Sequence, residues 1–150
     1  MKAATLARLG GWLAGVWAGL MAGIGFVAAP LFFASLPRAD AARLAAGLFS
    51  LDATIGLCLG AVLALVGLQL GRDRAERGTG SRFARELVLA LAALLCVVVG
   101  YYALQPMLDA ARAGQGALSF GALHGIASAF FFVRLASVAA LAWLLTKPFN

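Results

Sequence analysis

The sequence predicts an all-α polytopic membrane protein, with four transmembrane helices in an antiparallel bundle forming one domain over residues 1–150. Three observations predict it. Of 150 residues, 63% are hydrophobic and 12% charged, where soluble domains carry about 25% charged residues. Mean hydropathy is +0.96. The hydrophobic residues fall into four runs, each long enough for the ~20 residues that a helix needs to cross a bilayer.

The first helix is expected over about residues 9–33, a stretch with no charged side chain. It carries Gly11, Gly15, Gly19 and Gly23 at strict four-residue spacing, widened by Ala14, Ala18 and Ala22. In water each glycine would cost ~1 kcal/mol relative to alanine. In lipid, where helices associate by close backbone approach, a repeated small-xxx-small ridge permits the contact. The ridge reads as a glycine zipper, a docking surface for the rest of the chain or for a second copy. Met1-Lys2 and Arg8 before an apolar run also resemble a secretory signal. The run is longer than the ~7–15 residues of a signal core, so a retained membrane helix is expected. Trp12 marks one interface, and Pro30 bends or stops the helix near the other.

After the Ser35-Leu36-Pro37 turn, Asp40 is placed to cap a second helix over about 41–70. It is longer than a crossing requires, so it tilts or projects. Its Gly56-x-x-x-Gly60 is a second small-residue notch and a candidate seat for the first helix. Residues 71–85 form the only strongly polar segment, with Arg72, Arg74, Arg77, Arg82 and Arg85 against Asp73 and Glu76. It reads as a solvated loop, able to touch anionic lipid. The third helix is expected over about 86–105, closing with Tyr101-Tyr102 and Pro106. Ser119 is placed to cap the fourth, over about 120–146, whose far interface Trp143 and Lys147 mark.

A four-crossing arrangement puts Lys2, Arg8, the five loop arginines and Lys147 on one side, and Arg38, Arg43 and Arg112 on the other. By the positive-inside rule both termini are expected in the cytoplasm. The location expected is a bacterial inner membrane. The net charge of +6 serves orientation, because no basic and aromatic residues interleave on a polar face as nucleic-acid binding requires.

Three ionisable side chains fall inside the expected spans: Asp52, His124 and Arg134. An arginine or aspartate at a helix centre costs ~2.5–3.5 kcal/mol on insertion scales, so such groups face the bundle interior and find partners. With entry at Arg43/Leu44 and Phe120, Asp52 lies ~12 Å deep, Arg134 ~21 Å and His124 ~6 Å. Arg134 is long enough to reach Asp52 from another helix. His124 and Ser128 share a face, and one polar interior could include all four. Such an interior is read first as a buried cluster that fixes packing, and second as a proton or ion relay.

Enzyme chemistry finds no support. One histidine gives neither HExxH nor a pair for zinc or bis-histidine haem within one chain. A soft copper site from Cys58, Cys96, Met21 and Met107 is conceivable by ligand type alone. The cysteines read as small buried hydrophobes. No P-loop, GxGxxG after a strand or GxSxG is present, and Asn150 is the only asparagine. No metal or cofactor is expected.

Ala29-Pro30-Leu31-Phe32, Leu36-Pro37, Ala46-Gly47-Leu48-Phe49 and Leu123-His124-Gly125-x-x-Ser128 occur in this order. Together they resemble a bacterial four-helix membrane family of unknown function that is similar to eukaryotic transmembrane protein 205. The resemblance implies four spans and attention to His124, Gly125 and Ser128. It implies no reaction. Eukaryotic relatives carry an asparagine where Phe131 stands, so no role of that amide transfers here. A more distant likeness is to the copper-resistance D group, some members of which handle metal or haem through histidines.

The function expected is a non-enzymatic membrane bundle with a small polar interior, related to transport, in contact with lipid and self-associating through glycines. One alternative is a haem- or metal-binding redox protein using His124. Another is a structural subunit of a larger membrane complex.

Overall fold

The computed structural model describes residues 3–81 and 83–147. Four helices are long and apolar enough to cross a membrane: α1 (Ala3–Ser35), α2 (Arg38–Glu76), α3 (Arg85–Arg112) and α4 (Phe120–Thr146). Among the described residues there is no strand. The expectations for Lys2, Arg82 and Asn150 lie outside the described residues.

Several helix ends differ from expectation. α1 begins at Ala3 because Arg8, the one charge in its first turns, is exposed and costs the helix nothing. α2 begins at Arg38, after Pro37. Asp40 therefore sits inside the first turn, where its Oδ1 accepts from Arg43 Nη2 at 3.1 Å instead of capping the helix. α2 also runs through Glu76, shortening the polar loop. The Ser119 cap forms, with its hydroxyl oxygen accepting from the Ala122 amide at 3.2 Å.

Neither Pro30 nor Pro106 ends its helix. Each follows a π-helical segment, Gly23–Ala28 in α1 and Val98–Ala103 in α3. Proline has no N–H and its ring crowds the carbonyl four residues back, here Phe26 and Tyr102. Widening the preceding turn relieves that crowding, and the Ala29 amide reaches back five residues to the Ile24 carbonyl.

In the half of the bundle that holds the chain's start, the helices close into a ring of neighbours: α1 on α2, α2 on α3, α3 on α4, and α4 on α1. The core here is Ala7, Ala14, Trp17 and Met21 of α1 with Leu63, Ala93, Val97, Val138 and Leu141. Gly67 brings α2 against the α3 backbone. A Cβ there would lie 2.8 Å from the Leu87 nitrogen. Of the glycine ridge, Gly11 packs on Leu145 and Thr146 of α4, whereas a Cβ on Gly15, Gly19 or Gly23 would meet no other helix within 4 Å among the described residues. The stripe that α1 buries is Ala7, Gly10, Gly11, Ala14, Trp17 and Met21.

Beyond the two π segments the ring opens. The last turns of α1 keep their close backbone approach to α2, and those of α3 to α4, while the close backbone approach of α1 to α4 and of α2 to α3 is confined to the other half. The bundle thus splays into two hairpins, closed at one end and open at the other.

Candidate functional site

Between the hairpins lies a cavity of about 770 Å³ lined by all four helices. Its walls are mostly apolar. Ala42, Ala45 and Ala46 give α2 a low wall, and Phe26, Phe49, Phe131 and Phe132 face it. At the open end it reaches Arg38, Arg112 and Phe120, all exposed. At depth it ends on Asp52 and Arg134. Each lies 14 residues into its helix, counting from Arg38 and Phe120, or roughly 21 Å at 1.5 Å per residue.

Asp52 and Arg134 are 1% and 5% exposed, and Arg134 Nη2 donates to Asp52 Oδ2. Their helices are not neighbours in the ring, so the pair crosses the bundle diagonal. The guanidinium also lies over the Phe131 ring, 5.5 Å from its centroid. Glycine makes the approach possible. A Cβ on Gly56 would stand 3.1 Å from the Trp17 ring, 3.2 Å from Val97 and 3.4 Å from Arg134 Nη1. Trp17 reaches across to Gly60 as well, so the α2 notch seats this ring of α1. Asp52 Oδ1, Arg134 Nε and Trp17 Nε1 are buried without a hydrogen-bond partner. The pair is neutral as a whole and polar valence remains at the cavity floor.

His124 and Ser128 line the same cavity nearer its mouth. They do not join the ion pair. The His124 ring stacks on Phe120 at 5.7 Å and 14°, and the Arg112 guanidinium lies 5.0 Å from the Phe120 centroid. The Ser128 hydroxyl donates to the His124 carbonyl at 2.8 Å, which spends it on the backbone. Among the described residues no three of the His, Cys, Asp and Glu side chains gather as metal ligands would. Cys96 lines the cavity and Cys58 is exposed on the outside.

The residues to which the sequence reading gave no role are Gly25, Gly100, Phe130 and Phe131. A Cβ on Gly25 would meet the Phe131 ring at 2.8 Å, and one on Gly100 would meet Phe130 Cβ at 2.5 Å. Adjacent phenylalanines of α4 thus key into glycines of the two π segments. The sequence signal is a glycine shortly before a proline, at Gly25 and Pro30 and again at Gly100 and Pro106.

Fold and site together define a multi-pass α-helical membrane bundle with an internal chamber ending on a buried ion pair. The chain belongs to the family described as Domain of unknown function (DUF4149), whose model matches residues 12–117. That match includes Asp52 and stops before α4, which supplies Arg134, His124 and Ser128. No curated protein and no solved structure matches the chain.

Proposed function

We propose that the protein holds a small ligand in the chamber between its hairpins as part of a transport step across the bacterial inner membrane. It acts by binding and exposing its ligand, not by catalysis. Its termini lie in the cytoplasm, so the chamber opens away from the cytoplasm. The excess of Lys and Arg at the closed end supports that orientation. The observation that carries the reading is that the cavity stops at the Asp52–Arg134 pair. A buried charge pair is expensive to keep in a membrane, and its place at the floor of a chamber gives the charges a use. Self-association through Gly15, Gly19 and Gly23 belongs to the same reading, supported by the open space that a Cβ on each would meet among the described residues.

Sided labelling tests it. With Cys58 and Cys96 replaced by alanine, Ser128→Cys should react with a membrane-impermeant thiol reagent added from the non-cytoplasmic side of sealed vesicles. The same reagent on the cytoplasmic side should leave it unlabelled. Equal labelling from both sides, or labelling from the cytoplasmic side alone, overturns the reading.

A further inference from the structure

The lining of the chamber specifies what it would hold. Ionised side chains on its wall are Arg38, Arg112 and Arg134 against the single carboxylate of Asp52. Asp52 is taken by Arg134, and Phe131 over that guanidinium presents a ring to the space above. Below the rim the wall is mostly alanine and phenylalanine, with the polar side chains of Tyr101, Gln105, His124 and Ser128 set among them.

The rim is cationic. Arg112 is held by Asp109 at 2.7 Å, and Arg43 is held by Asp40 at 3.1 Å. Arg38, on the rim with Arg112, has no hydrogen-bond or ion-pair partner among the described residues. A guanidinium without a carboxylate at the mouth of an apolar chamber suits a carboxylate or phosphate, which it can grip through two parallel hydrogen bonds. The volume of about 770 Å³ falls within the ~300–1,000 Å³ of small-molecule sites.

The splay supplies a route. Where α1 leaves α4 and α2 leaves α3 the close backbone approach ends, and on the α1–α4 side it is aromatic side chains, Phe26 against Phe132, that bridge the gap, so the hairpins can part toward the hydrocarbon as well as at the end of the bundle. A ligand with a long apolar part can enter from the bilayer without its tail crossing water. Resting on the chamber reading above, we infer that the occupant is an anionic amphiphile. Its carboxylate or phosphate head sits at Arg38 and Arg112, and its tail lies between the α2 alanines and Phe49 and Phe131.

The test uses full-length protein in nanodiscs of neutral phosphatidylcholine with a diazirine-bearing fatty acid, and crosslinks are mapped by mass spectrometry. Labelling is expected at Phe49, Phe131 and their chamber neighbours. Dodecanoate and dodecyl phosphate should compete about tenfold better than dodecanol, and Arg38→Gln, an exposed change that leaves the core intact, should remove most of that difference. Ala46→Trp, which fills the chamber, should abolish the labelling. Chamber labelling competed equally by dodecanol and unchanged in Arg38→Gln would overturn the anionic head while leaving the chamber reading standing. Labelling confined to outward residues such as Val16 and Leu65 would overturn the amphiphile altogether. The chamber reading would then stand or fall on the sided labelling of Ser128→Cys.

Discussion

Asp52 and Arg134 meet across the diagonal of the bundle, from helices that lie opposite each other in the ring and also touch through the Phe49 and Phe131 rings, 5.9 Å apart and edge to face. Removing one partner of a buried pair leaves an uncompensated charge and costs about 3–5 kcal/mol, whereas replacing both by apolar groups is often close to neutral. Asp52→Leu or Arg134→Met alone should therefore lower stability by about that amount, measured by unfolding in graded denaturing detergent. The double variant should recover most of the loss. A double variant as unstable as the worse single would show that the pair does not act as a unit.

Glycine positions should divide by what lies opposite them. Gly67→Ala drives a methyl group into the α3 backbone at Leu87, which cannot rotate away, so a loss at the upper end of the ~1–3 kcal/mol for overpacking is expected. Gly15→Ala and Gly19→Ala meet nothing. They should leave the fold unharmed or stabilise it by less than about 1 kcal/mol. If the free ridge receives a second copy, the same two changes should lower the native mass in mild detergent. A mass unaffected by them would remove the ridge from any oligomer contact.

Trp17 is fully buried, with an indole N–H that has no acceptor. Trp17→Ala should cost about 3–5 kcal/mol as a large core deletion. Trp17→Phe should cost clearly less, since the lost N–H makes no hydrogen bond. Thermal unfolding of the two variants decides it, and equal losses would mean that the N–H is satisfied after all.

At the closed end, Arg74 donates to both oxygens of Glu86, at 3.0 and 2.8 Å, clamping the end of α2 to the start of α3. The Arg74 side chain is 28% exposed and that of Glu86 9%, so Glu86→Ala should cost about 1 kcal/mol. The loss should shrink as salt rises. Asp109→Ala breaks a pair that is exposed on both sides, and should change stability by less than about 0.5 kcal/mol.

Much of this was legible in the sequence. Run length and charge placement gave four helices in the right order. The expense of charge in lipid identified Asp52 and Arg134 as groups needing partners, and a long side chain made each reachable by the other. Four-residue spacing shows that Gly11 to Gly23 share a face but not where the face points. The stripe that turned inward is instead the one carrying Trp17 and Met21, whose side chains the interhelical space takes up, while Trp12 of the same helix stays 73% exposed. Pro30 and Pro106 read as helix ends because an i→i−5 hydrogen bond has no residue code of its own. With those segments hidden, the splay and the chamber that it creates were hidden as well, and so was the part played by Phe131.

The ion pair also sets an order of events. Its partners are 82 residues apart, which at about 5–20 residues per second of synthesis is roughly 4–16 s. Through that interval the first hairpin sits at the membrane with a carboxylate that nothing yet answers. The last helix carries an arginine that, alone, would resist entering. Each charge is an obstacle by itself and an inducement to the other, so entry of α4 and sealing of the bundle's centre are one step. Polypeptides cut short before α4 would leave the Asp52 carboxylate in an apolar bundle with no cation to answer it, a lack that only the arrival of Arg134 makes good.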